Sequence, residues 1–171
     1  MVHYAESDVI PISQFPYAWR LTDERWDRLP EVDLAQIVPL GQPRGAELNL
    51  LGRGYRRPLG LPAVNTNRYH VVSDCSLPAT GAGFAAGRAW LETLPVSNVE
   101  LVYISWSNDA AVVTNWGMVK RWWDAFWYLD VLNIFDDSLQ WGLLFGGEEH
   151  AVWVEAGGVA DDAPKTPRSG R

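Results

Sequence analysis

From Val131 the chain reads VLNIFDDSLQWGLLFGGEEHAVWVEA, and this stretch narrows the choice of fold more than any other. Three short segments rich in β-branched and aromatic residues, 131–136, 139–145 and 150–156, are separated by Asp137-Ser138 and by Gly146-Gly147-Glu148-Glu149. Apolar runs of that length bounded by turn residues read as strands, and connections that short join antiparallel neighbours. A β-meander is expected here, and its apolar face has to be covered by another layer.

The segment just before it supplies that cover. WGMVKRWWDAFWYLD, 116–130, holds four Trp together with Phe126 and Tyr128. At helical spacing Trp116, Val119, Trp123 and Phe126 or Trp127 form one stripe, flanked by Met118, Trp122 and Ala125. Lys120, Arg121 and Asp124 leave only a narrow polar strip, so the helix is expected to be mostly buried. Each ring can bury roughly 150–250 Å², enough for this helix to organise the core. Trp122, Trp127 and Tyr128 lie off the stripe or at its end, and are the candidates for a partly exposed group.

Upstream the pattern alternates between helix and strand. Residues 99–105 and 110–114 read as a hairpin turned at Asn108-Asp109, 68–73 as a strand, and 87–94 as a helix. The N-terminal stretch 13–40 reads as two helical pieces, one capped at Thr22 and limited by Pro30, the other over 33–38. Residues 41–62 mix Gly, Pro and arginines, which suits short helix and loop, and 77–83 is expected to be loop. The fold class that follows is α+β, a mostly antiparallel sheet with a C-terminal β-meander packed against helices. One globular domain is expected over 1–156, and a flexible tail over 157–171, GGVADDAPKTPRSGR.

At 171 residues such a domain is long enough to fold on its core alone, without disulfide or metal. Cys75 is the single cysteine, so no internal disulfide forms. No apolar run reaches the roughly 18 residues of a membrane span, and MVHYAESDVIPISQ lacks the pattern of a signal peptide. A cytoplasmic protein that does not engage a membrane is expected. Net charge is −7, and it is unevenly spread. Eight acids and seven arginines nearly cancel over the first sixty residues, whereas nine acids and no Lys or Arg fall between Asp124 and Asp162. Such a field repels nucleic acid and speeds association with a basic partner.

Catalytic signatures are weak. Gly81-Ala82-Gly83-Phe84-Ala85-Ala86 satisfies G-x-G-x-x-A, but a dinucleotide turn must follow a strand directly and belong to a parallel βαβ unit. Cys75 has His70 nearby in sequence and His150 far along it, without any flanking nucleophile signature. Glu148, Glu149, His150, Asp136 and Asp137 are ligand-type side chains, yet charges beside a Gly-Gly turn more often face water. Arg53, Arg56 and Arg57 lack the helix N-terminus of a phosphate site and are expected to be internal partners of the acidic half. No catalytic residue, cofactor or metal is therefore assigned, and an enzyme is not expected.

The pattern WGMVKRWWDAFWYLD followed by VLNIFDDSLQWGLLFGGEEHAVWVE resembles small bacterial proteins, many of which look like immunity proteins of polymorphic toxin and secretion systems. FPYAWRLTDERWDRLPEVDLAQIVPL is similar to the N-terminal part of a bacterial family of the same size. The resemblance implies a protein that binds and neutralises one cognate toxin, with no catalysis of its own. On that reading the partner-binding residues are Trp122, Asp124, Trp127, Tyr128, Asp136, Asp137, Trp141, Glu148 and Glu149. The alternative is a small-molecule or metal-binding protein or enzyme whose pocket is lined by Trp122, Trp127 and His150.

Overall fold

Seven strands pair in the order β1-β4-β3-β5-β6-β7-β2, and every neighbouring pair is antiparallel. The computed structural model describes residues 3–56, 64–77, 81–106, 110–127, 131–146 and 150–157. The strands are β1 Val38–Leu40, β2 Tyr69–Ser76, β3 Leu101–Ser105, β4 Ala111–Asn115, β5 Leu132–Phe135, β6 Trp141–Gly146 and β7 His150–Ala156. The helices are α1 Ala18–Thr22, α2 Glu31–Leu34, α3 Arg44–Arg53, α4 Gly81–Thr93 and α5 Trp116–Phe126. This is the α+β architecture expected from the pattern, with β5, β6 and β7 forming the C-terminal meander.

Helices cover both faces of the sheet. On one face α5 and α4 close a core containing Val102, Ile104, Val112, Ile134, Leu143, Phe145 and Trp153. On the other, α3 packs across β3, β4 and β5 over a core of Leu40, Leu48, Tyr55, Tyr69, Tyr103, Phe135, Leu144 and Val154. Cover on both sides buries successive residues of β4 and β5, including Thr114 and Asn133, whereas a half-exposed strand would alternate. The edges are managed differently. β1 is three residues long and carries Pro39, while β2 has a register shift between Val71 and Ser73. Both features discourage further pairing.

Helix α5 joins β4 to β5, which flank β3, so it crosses over the sheet between two parallel strands. Asn115 caps it, its side chain accepting the Met118 N–H at 3.0 Å. The expected stripe is buried: Trp116, Val119, Trp123 and Phe126 are each no more than 2% exposed. The helix ends at Phe126, and Trp122 departs from helical geometry at φ −122° and ψ 27°.

Three expectations need correction. Thr22 does not cap a helix but ends α1, its hydroxyl donating to the Ala18 carbonyl at 2.9 Å. Asp23 is the cap instead, its carboxylate accepting the Arg25 N–H of a single 3-10 turn at 2.9 Å. Residues 33–38 do not form a helix. α2 stops at Leu34, and Val38–Leu40 is recruited as an edge strand by pairing with β4, a long-range contact that local periodicity cannot register. Helix α4 starts at Gly81, inside the expected loop, and Gly87 lets it lie directly on α5. A Cβ there would meet Trp123 Cζ2 at 2.6 Å and Leu77 Cδ2 at 2.8 Å. Of the expected tail only Gly157 is described, its N–H donating to the Arg68 carbonyl at 2.8 Å. Among the described residues no helix is long and apolar enough to cross a membrane.

Candidate functional site

The aromatic residues are drawn mainly into the interior. Trp123 stacks on Trp127 at 5.3 Å between ring centroids, and Phe84 of α4 and Phe145 of β6 close round the pair. Trp141 stacks on Trp153 at 4.6 Å and meets Trp116 edge-on at 5.9 Å. Trp127 and Trp141 are thus half-buried rings continuous with the core. Trp122 is half-buried too, and its indole N–H donates to Asp33 Oδ2 at 3.0 Å.

The acidic residues nominated for a partner divide in the same way. Asp136 is 7% exposed and shapes the β5–β6 turn, accepting the Ser138 hydroxyl at 2.7 and 2.8 Å and the Leu139 N–H at 3.1 Å. That turn needs the pull, since Leu139 sits at φ 59°. Asp124 is half-buried, with its carbonyl accepting Arg20 Nη2 at 2.8 Å. Tyr128, Glu148 and Glu149 lie outside the described residues. Trp127 packs against Phe145, at the end of β6 paired with Leu132, whereas Asp137 follows Phe135 at the other end of β5. The strand between them is roughly 10–13 Å long at 3.3 Å per residue, so Trp127 and Asp137 lie at its opposite ends.

The sequence-based pocket residues are likewise separated. His150 Nε2 lies 3.3 Å from Asp74 Oδ2 on β2. Cys75 points to the opposite sheet face from Asp74, since neighbours alternate along a strand, and packs on the α4–α5 core. Burial, with the Asp74 carboxylate beside it, pushes the Cys75 thiol pKa up, the reverse of what a nucleophile requires. The Gly81–Ala86 motif opens α4 close behind β2, but among the described residues β2 pairs only with β7 and antiparallel, without the parallel unit that a dinucleotide site needs. Among the described residues no three His, Cys, Asp or Glu side chains converge as metal ligands.

Arg56 is an internal residue, and among the described residues its partners are an amide and backbone carbonyls rather than an acid. It is 9% exposed, and its guanidinium donates to Asn133 Oδ1 at 2.8 Å and to the carbonyls of Phe145 and Leu132 at 2.6 and 3.1 Å. Burial lowers its pKa to about 10, which leaves it charged at neutral pH. It ties β5 to β6 beneath the C-terminal end of α3. Gly52 allows this close approach, because a Cβ there would lie 2.9 Å from both Asn133 Nδ2 and Ser105 Oγ. Arg57 lies outside the described residues.

One nominated acid does line an open groove. His3, Tyr4, Val99, Glu100, Leu101, Tyr103 and Asp137 surround a volume of about 430 Å³. The antiparallel register Tyr103↔Phe135 continues to set Asp137 beside Leu101. Val99 is 82% and Leu101 58% exposed, so an apolar ridge stands in water on the α3 side of β3. Neither Glu100 nor Asp137 has an ion-pair partner among the described residues. Val99, Leu101 and Glu100 escaped the sequence reading because they fall within the strand expected over 99–105 and carry no signal of their own. Comparison with protein-family models, curated proteins and solved structures finds no match for this chain.

Proposed function

We propose that this protein is an immunity-type inhibitor, acting in the cytoplasm by binding and neutralising one cognate basic toxin. The groove beside β3 is its docking surface on this reading. The supporting observation is the pairing of exposed Val99 and Leu101 with the unpaired carboxylates of Glu100 and Asp137. Exposed apolar side chains flanked by unmatched charge of one sign suit a partner that brings apolar and cationic side chains together. The carboxylates speed encounter, and burial of the ridge slows release.

Trp122, Trp127 and Trp141 act behind this surface as a rigid aromatic core. Asp136 acts by fixing the turn that presents Asp137. Co-expression with a basic effector encoded beside the gene tests the proposal. The wild-type chain should protect the host and co-elute with the effector on gel filtration, and Leu101→Arg should fail at both while keeping wild-type melting. If no basic effector is encoded nearby, or if Leu101→Arg protects fully, the proposal fails.

A further inference from the structure

A second cleft, of about 490 Å³, lies on the other side of segment 98–100 and differs in chemistry from the groove. Its walls are α4, contributing Arg88 and Glu92, and α5, contributing Lys120 and Arg121. Asn98, Asn115 and Gln36 close the ends. In an acidic protein this is a concentration of three cations against one lining carboxylate.

Two of the three cations are already held in place. Lys120 is only 13% exposed at its side chain and is paired with Glu92, while Arg121 Nη1 lies 2.9 Å from the buried Asp33 carboxylate. Arg88 differs. Its one hydrogen bond among the described residues is from Nη2 to the Arg121 carbonyl at 3.1 Å, and it has no carboxylate partner there. The amide of Asn98 is exposed and also unbonded among the described residues, whereas Asn115 Nδ2 donates to Gln36 Oε1 at 3.1 Å. The result is a polar hollow in which Lys120 and Arg121 are matched by carboxylates, while Arg88 and the Asn98 amide offer free donors.

The α5 N-terminus contributes little. The N–H groups of Trp116, Gly117 and Met118 are already bonded to Glu100 O, Asn98 O and Asn115 Oδ1. The charge therefore comes from side chains. The size is within the roughly 300–1,000 Å³ of small-molecule sites, but such sites are mostly apolar and this one is not. The geometry points to a binding site for a small, strongly polar anion carrying carboxylate or phosphate groups, with Arg88 as the forked recognition residue. This inference is independent of the toxin-binding proposal, since the two clefts share no lining residue.

Isothermal titration of the full chain with citrate and with inorganic phosphate tests it, and the two probes separate carboxylate from phosphate recognition. One of them should give saturable binding that weakens about tenfold or more in Arg88→Ala, the loss of a charge-assisted contact. Arg88 is suited to substitution because it holds no ion pair among the described residues, and Arg25→Ala, whose side chain pairs there with Asp23, serves as the control that should bind like wild type. Backbone amide shifts at Asn98 and Gly117 should move on titration. Absence of saturable binding by both probes, or equal affinity in wild type and Arg88→Ala, would overturn the assignment.

Discussion

The Asp33 carboxylate of α2 accepts the Trp122 indole N–H of α5 at 3.0 Å, and this bond joins two segments 89 residues apart in the chain. Asp33 is 4% exposed, and Arg121 Nη1 reaches its other oxygen at 2.9 Å. Trp122 leaves helical geometry at the point where it and Arg121 both turn towards this carboxylate. The kink places a charge-assisted bond on a helix whose buried stripe is apolar. Asp33→Ala should destabilise the fold by about 1–2 kcal/mol in urea denaturation, because it removes the acceptor of the half-buried Trp122 indole N–H. A double-mutant cycle with Trp122→Phe should show coupling of at least roughly 0.5 kcal/mol.

Arg56 should behave as a structural cation. Its guanidinium satisfies Asn133 Oδ1 and two strand carbonyls, and a methionine can replace its volume but none of these bonds. Arg56→Met is expected to cost about 2–4 kcal/mol, measured by chemical denaturation. Arg56→Lys should recover little of that loss, since an ammonium cannot make the same forked contacts.

Gly52 sets how close α3 sits to the sheet. In Gly52→Ala the new methyl group meets Asn133 and Ser105 at 2.9 Å, and neither can retreat from the centre of the sheet. A loss of about 1–3 kcal/mol is expected in thermal unfolding, as for other overpacked cores. An unchanged melting temperature would mean that α3 moves more freely than this packing allows.

Tyr55 gives the protein an alkaline limit. Burial, with Tyr69 and Asp136 nearby, raises its phenol pKa well above the ordinary 10.0, and its hydroxyl donates to the Trp141 carbonyl at 2.8 Å. The folded state therefore keeps a proton that the unfolded chain releases above pH 10. That stabilisation is fully present below pH 10 and is lost as pH rises towards the folded pKa, by up to about 1.4 kcal/mol per pH unit. Stability measured between about pH 9 and pH 11.5 should fall more steeply in wild type than in Tyr55→Phe.

Much of this architecture was legible because it rests on short-range pattern. The meander 131–156 and the Trp116–Phe126 stripe follow from periods of 2 and 3.6 and from turn residues, and both are present. What escaped was decided at long range. The 38–40 segment became a strand through pairing with β4, and α4 rests on α5 where Gly87 touches Trp123. The candidate site was less legible for a related reason. Trp122 and Asp136 carry the residue types of an interface, yet a single partner from elsewhere, Asp33, holds the first, and a local turn holds the second. Conversely Val99 and Leu101 look like ordinary strand residues, and only the end of α3's cover leaves them exposed.

The most direct measurement is the rate at which a basic effector encoded beside the gene associates with the wild-type chain and with Glu100→Lys/Asp137→Lys, followed by surface plasmon resonance at low and high salt. Reversing two unpaired carboxylates at the groove should slow association by about tenfold or more at low salt, and the difference should shrink at high salt. Equal association rates for the two proteins at low salt would contradict the account, because the effector would then bind without using the acidic groove beside β3.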